Sequence, residues 1–213
     1  MSGVPPFDEA FRTRLRELFV WRRDVRRFRR DALPAGMLDR LIEIACLAPS
    51  VGLSQPWRFV VVDDPGRRQA VREAFKACNA EALGTYSGER AARYASLKLA
   101  GLEEAPSQFA VFADTATETG HRLGRLTMPE MVEYSAVTAV SLMWLAARAE
   151  GIGMGWVSIL DPPAIAAILD VPAAWRLIGY FCLGYPGEES DRPELERAGW
   201  EERRDASSCM VQR

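Results

Sequence analysis

Apolar residues recur at positions 7, 11, 15, 18 and 19, a helical spacing that predicts a first helix over residues 7–20. Asp31 to Pro34 marks a second helix start, whose apolar face is Leu38, Leu41, Ile42, Ala45 and Leu47, and Pro49 stops it. The β-branched and apolar run Trp57–Val62 predicts a buried strand, and Asp63–Gly66 a turn. Residues 67–83 and 89–104 read as helices, separated by the breaker Gly84–Gly88 and closed by Pro106. Phe109–Asp114 predicts a second strand and residues 115–127 a loop. The longest helix is expected over Pro129–Glu150, with Met131, Ser135, Thr138, Ala139, Leu142, Ala146 and Ala149 on one face. Gly151–Gly155 then reads as the turn that ends it, Trp156–Leu160 as a third strand, Asp161–Leu169 as a short helix and Arg176–Leu183 as a fourth strand. This order predicts one α+β domain over residues 1–213, with a central mixed or antiparallel sheet of four or five strands flanked by helices. The charged tail, from about residue 190 to 213, is expected to be extended or partly disordered, or an arm reaching a second subunit.

Composition narrows the classes. With 213 residues, 48% of them hydrophobic, and a net charge of −2, the chain reads as an ordinary globular protein rather than a nucleic-acid binder, which would carry a basic excess. Residues 1–6 lack the basic start and apolar run of a signal peptide, and Ala136–Ala147 is too short to cross a bilayer. A cytoplasmic protein with no membrane partner is the expectation. The cysteines Cys46, Cys78, Cys182 and Cys209 form no CxxC pair, and the first three read as small core residues. A lone His121 excludes a multi-histidine metal site, so no metal is expected. No GxGxxG after a strand, GxxxxGK[ST] or GxSxG is present.

The candidate chemistry lies in Trp21–Phe28, where Arg22, Arg23, Arg26 and Arg27 surround Asp24. Such a run is either a solvated helix face or an anion grip, because guanidinium pairs bidentately with phosphate. The Gly/Ser-rich stretch Ala48–Phe59 favours the second reading, since small residues let backbone N–H groups approach a ligand. Asp24 is either a salt-bridged carboxylate or a functional one. Ser158 reads as a mid-strand hydroxyl, satisfied in the core or catalytic.

Five stretches in order, covering residues 20–203, resemble the flavin-dependent nitroreductase superfamily: Arg22–Arg26; Leu47–Gly52 with Ser54–Trp57; Gly124–Glu130; Trp144–Gly151 with Gly155–Leu160; and Pro193–Glu196 with Gly199–Trp200. They are most similar to its flavin-fragmenting branch. That branch consumes reduced FMN with O₂ and releases 5,6-dimethylbenzimidazole, the lower ligand of vitamin B12, and erythrose 4-phosphate. The resemblance implies a nitroreductase-like fold, an arm-exchanged homodimer and FMN at the dimer interface. It implies cofactor-binding roles for Arg22, Arg23, Asp24, Val25, Arg26, Ser50, Gly52, Ser54, Leu160 and Arg203, and catalytic roles for Asp24 and Ser158. Asp24 stands where ordinary relatives carry a small hydroxyl residue, which makes sense if a proton must move. Ser158 would lie near the reacting edge of the ring, or orient the peroxide formed when O₂ adds. Tyr86–Lys98 matches a segment that covers the flavin, although Ala100 replaces an expected glutamate. NAD(P)H enters only indirectly, through a separate flavin reductase. An NAD(P)H-dependent FMN nitroreductase and a non-enzymatic flavin-binding protein are the rival readings.

Overall fold

The structure is a computed structural model that describes residues 7–97 and 99–213. Helix α1 (Glu9–Trp21) starts at Asp8, whose carboxylate accepts the Phe11 N–H, and none of its residues is buried. Helix α2 (Met37–Ala45) begins three residues after Pro34 and is capped by Gly36, which adopts φ +72°. Strand β1 (Trp57–Val61) follows the short turn Val51–Leu53. Helix α3 (Pro65–Gly84) combines an Asp64 cap with Pro65 in the first turn. Then come α4 (Gly88–Ser96), α5 (Gly101–Glu104) and β2 (Ser107–Asp114). The long helix α6 (Met131–Ala149) leads to β3 (Gly153–Val157), α7 (Pro162–Leu169), β4 (Trp175–Gly184) and α8 (Glu194–Arg197).

The four strands form one antiparallel sheet in the order β1-β2-β4-β3. Pleat alternation sends Phe109, Val111, Ala113, Phe181 and Leu183 to one face, against α2 and α6. Ala110, Phe112, Tyr180 and Cys182 go to the other, against Val71 of α3, Leu102 of α5 and Ile165 of α7. The β2–β4 register slips between Val111 and Phe112, which face Gly179 and Leu177. Gly179 is obligatory there: a Cβ would lie 2.0 Å from Trp156 Nε1.

Several expectations need correction. The third strand starts three residues earlier than predicted, so the Gly151–Gly155 run is largely strand rather than turn. Ser158 consequently lies just beyond β3 and is exposed, not mid-strand. In place of one helix over residues 89–104 there are two, α4 and α5, and Gly101, the first residue of α5, passes Phe28 closely: a Cβ would sit 2.9 Å from that ring. The buried face of α6 is Val132, Ser135, Ala136, Ala139, Val140, Met143 and Ala147, rotated from the predicted one because the helix packs on the sheet as well as on α2. Only Cys182 is a core thiol; Cys46 is exposed and Cys78 half-buried, and all four cysteines are free. The tail is not simply extended, since α8 and a 3₁₀ turn at Ala206–Cys209 are formed.

Among the described residues, Tyr180 and Gln108 form a polar pair inside the second face. The Tyr180 hydroxyl donates to Gln108 Oε1 (2.8 Å), and Gln108 Nε2 donates to the Leu102 carbonyl (3.1 Å). Burial pushes the Tyr180 hydroxyl pKa well up, so it stays a donor. Tyr180→Phe leaves a buried amide oxygen unpaired and should cost about 1–2 kcal/mol in urea unfolding.

Candidate active site

The arginine run is extended backbone pinned along both flanks. Helix α1 ends as the Arg22 N–H caps the Leu18 carbonyl (2.9 Å). Asp24 then pairs in parallel with Met154 of β3, the Val25 N–H donating to the Met154 carbonyl (3.1 Å). Trp144 Nε1 of α6 donates to the Arg23 carbonyl (3.1 Å). Further on, Glu104 accepts the Phe28 N–H (3.0 Å), Tyr185 accepts the Arg29 N–H (2.9 Å), and Arg27 accepts the Gly187 N–H (2.9 Å). The approach to β3 is possible because two strand residues lack side chains. A Cβ at Gly155 would lie 2.2 Å from the Val25 carbonyl oxygen, and one at Gly153 2.7 Å from Val25 Cγ2.

This backbone fixes the Asp24 carboxylate. Its Oδ1 accepts the Trp156 N–H (2.9 Å), while Arg26 Nε stands 3.7 Å from Oδ2. Among the described residues Oδ2 accepts no hydrogen bond, and the side chain is 41% exposed, against 16% for Arg26. Desolvation by the surrounding protein raises the Asp24 pKa; the Trp156 N–H, Arg26 and Arg22 oppose that rise, and Glu194 adds to it. Arg22 and Arg23 are lowered, chiefly by burial, with Arg203 close enough to add repulsion. Arg22 lies over the Trp144 ring at 4.9 Å. The buried Arg23 Nε has no partner among the described residues.

Two clefts flank the run. One, of ≈ 350 Å³, is lined by Arg23, Asp24, Arg26 and Arg27 together with Arg192, Glu194 and Arg197 of the tail. The other holds Arg22 and Arg203 beside Phe19, Ser141, Trp144 and Leu145. Arg22, Arg23, Asp24, Val25 and Arg26 thus line these clefts, with Arg203 beside Arg22 in the second. Ser158 is near them, two residues or about 7 Å along the chain from the Trp156 contact. Leu160 is half-buried against the second core face.

Ser50, Gly52 and Ser54 are not part of that gathering. Their loop docks on the first turns of α6: Val51 N–H donates to Ser135 Oγ (3.0 Å) and Thr138 Oγ1 to the Pro49 carbonyl (3.0 Å). Trp144, which holds the arginine run, lies about 13 Å farther along the same helix. Ser50 Oγ accepts the Gln55 N–H (3.0 Å), Gly52 takes φ +57° against the Gly120 carbonyl, and the buried Ser54 Oγ has no partner among the described residues. The segment matched to the flavin cover, Tyr86–Lys98, contains α4 with Tyr86 and Ser87 before it and Leu97 after it; Lys98 lies outside the described residues.

Sequence reasoning missed three contributors: the glycines of β3, Trp144, and Arg192 and Arg197. Only the first left a signal. Glycine at alternate positions 151, 153 and 155 repeats with the period of a strand, which marks a close backbone approach.

The sequence profile described as "Nitroreductase family" matches residues 19–185, and the chain belongs to that family. Two similar proteins are the 5,6-dimethylbenzimidazole synthases of Rhodospirillum rubrum, 56% identical with 96% of this chain and 97% of that protein covered, and of Rhodobacter capsulatus, 44% identical with 92% and 95% covered. An NADH dehydrogenase of Thermus thermophilus is 35% identical, covering 83% of this chain and 90% of that protein. Among solved structures, oxidized iodotyrosine deiodinase bound to FMN and 3-iodo-L-tyrosine superposes with a TM-score of 0.69 at 23% identity, covering 83% of this chain and 91% of the other. The nitroreductase-like family protein from Bacillus cereus gives 0.66 at 19%, with 100% and 98% covered. These two establish likeness of fold alone. Among the described residues no cluster suits a metal ion, and no helix is long and apolar enough to cross a membrane.

Proposed function

We propose that this chain is a 5,6-dimethylbenzimidazole synthase, taking reduced FMN and O₂ to 5,6-dimethylbenzimidazole and D-erythrose 4-phosphate for the lower ligand of vitamin B12. The observation that carries the reading is Asp24: a carboxylate with one oxygen fixed by a backbone N–H and the other open, in an arginine-lined cleft. The names of the relatives at 56% and 44% identity support it.

The residues present suit FMN. A phosphate needs unengaged guanidinium donors, and Arg23 Nε is buried without a partner while Arg22 and Arg203 share a cleft. Ser54 Oγ is a second unpartnered polar atom, suited to a flavin carbonyl or ribityl hydroxyl. Bound flavin supplies the ring and ribityl carbons that become the two products. Around it, Arg22, Arg23, Arg26 and Arg203 bind the phosphate and the electron-rich ring. Asp24 takes and returns protons through Oδ2. Ser158, exposed beyond β3, hydrogen-bonds at the reacting edge, and Leu160 lines the ring.

A homodimer completes the site. The Ser50–Ser54 loop and the arginine run lie apart along α6 of one chain, and a second copy docked there reunites the two halves. The exposed Phe11, Phe19 and Val20 of α1 and the exposed Leu47, Leu53, Leu123 and Leu126 offer apolar surface for that contact. Electrons come from NAD(P)H through a separate flavin reductase.

The test is mass spectrometry of the protein incubated with chemically reduced FMN in air. Dimethylbenzimidazole and a tetrose phosphate are expected. FMN recovered intact, with NAD(P)H turnover on a nitroaromatic, would instead support the NAD(P)H-dependent nitroreductase reading. Intact FMN with no turnover would leave a flavin-binding protein.

A further inference from the structure

Helix α4 has no buried residue, and irregular chain flanks it at Thr85–Ser87 and after Ser96. Its attachment is aromatic. Tyr94 packs 5.0 Å from Tyr86, and Trp200 of the tail meets both rings, edge-on to Tyr86 at 5.5 Å and tilted to Tyr94 at 6.1 Å. Arg90 stands over the Trp200 ring at 5.6 Å, and Arg93 donates to the Gly199 carbonyl. The Tyr94 hydroxyl donates to Asn79 Oδ1 of α3 (2.9 Å). Two residues before Gly199, Arg197 lines the Asp24 cleft, as do Glu194 and Ala198. The cleft wall and the α4 anchor are thus one short piece of tail. Arg26 lies close enough to Tyr94 to oppose the rise that burial imposes on its hydroxyl pKa.

We propose that Trp200 is a positioning residue that clamps α4 against the tail wall of the Asp24 cleft and so limits the access of water to flavin bound there. The proposal rests on the flavin-fragmenting reading. Its chemical consequence is a partition. When water reaches the reaction, reduced FMN gives two electrons and, with them, two protons to O₂, leaving oxidised FMN and H₂O₂ instead of the benzimidazole. Loss of the Trp200 ring removes two aromatic contacts and one cation–π contact, a combined effect on the order of tenfold in the population of displaced α4.

The experiment compares wild type, Trp200→Ala and Trp200→Phe. Hydrogen exchange in the α4 peptide should quicken about tenfold in Trp200→Ala, with β2 and β4 unchanged, and return towards wild type in Trp200→Phe. With reduced FMN in air, the ratio of H₂O₂ to dimethylbenzimidazole should rise in Trp200→Ala and recover in Trp200→Phe. Unchanged exchange in α4 overturns the clamp. Faster exchange with an unchanged product ratio overturns the control of water. A wild-type protein that forms no dimethylbenzimidazole overturns the functional reading instead, and the exchange measurement still decides the clamp.

Discussion

Asp24→Asn is expected to lower dimethylbenzimidazole formation from reduced FMN by at least about a hundredfold, the scale of a lost general acid–base group. Flavin binding should persist, because the arginines proposed to grip its phosphate are untouched. An amide keeps the shape of the carboxylate, and its oxygen can still accept the Trp156 N–H that now holds Oδ1. What it cannot do is exchange a proton through the second position. The same variant should also be more heat-stable than wild type without ligand at neutral pH. Burial raises the Asp24 pKa above its unfolded value, so the folded state bears the cost of the ionised form. Wild-type stability therefore falls as pH rises from the ordinary carboxylate range through the raised folded value, and the amide escapes that fall. A carboxylate that destabilises the empty protein yet is needed for turnover marks a functional residue. Product yield, flavin affinity and thermal midpoints against pH measure all three. Full product formation by Asp24→Asn would remove the proton-transfer role.

Gly155→Ala is expected to cost roughly 3 kcal/mol, a thermal midpoint lower by about 6–12 °C for a chain of this size. The added methyl would lie 2.2 Å from the Val25 carbonyl oxygen. The neighbour is backbone, held by the Val25–Met154 hydrogen bond, so no side chain can swing aside. Relief requires the arginine run to lift away, which breaks that bond and detaches Asp24 from Trp156. Stability and product formation should therefore fall together, unlike in Asp24→Asn. Gly84→Ala serves as the control: a methyl there meets nothing within 4 Å and the site is helical, so no loss is expected. Differential scanning fluorimetry with the product assay measures both variants.

The two outcomes differ in how legible they were in the sequence. Periodicity located β1, β2, β4 and the long helix because their apolar residues lie on packed faces, and pleat alternation in β2 and β4 matches the two cores residue by residue. The error over β3 has a physical source. Glycine is read by its conformational freedom, hence as a turn, whereas Gly153 and Gly155 are needed for their lack of bulk. Long-range approach leaves no local propensity behind. The split of the site along α6 was equally invisible. Both contacts are distant in sequence, 84 residues from Val51 to Ser135 and 121 from Arg23 to Trp144, so nothing local marks where either segment docks. The arginine run itself was legible because its charge density is local.

The pairing of Asp24 with Met154 also bears on solubility. In the order β1-β2-β4-β3 the glycine strand is outermost, with one row of backbone groups facing away from β4. A thin strand of glycines offers little side-chain bulk to repel a second sheet, so it is a natural template for aggregation. The Asp24–Val25 backbone occupies that row, and the Asp24 side chain takes the Trp156 N–H. The segment that carries Asp24 thus also seals the sheet margin. On the proposed function, catalysis and resistance to self-association rest on the same few atoms.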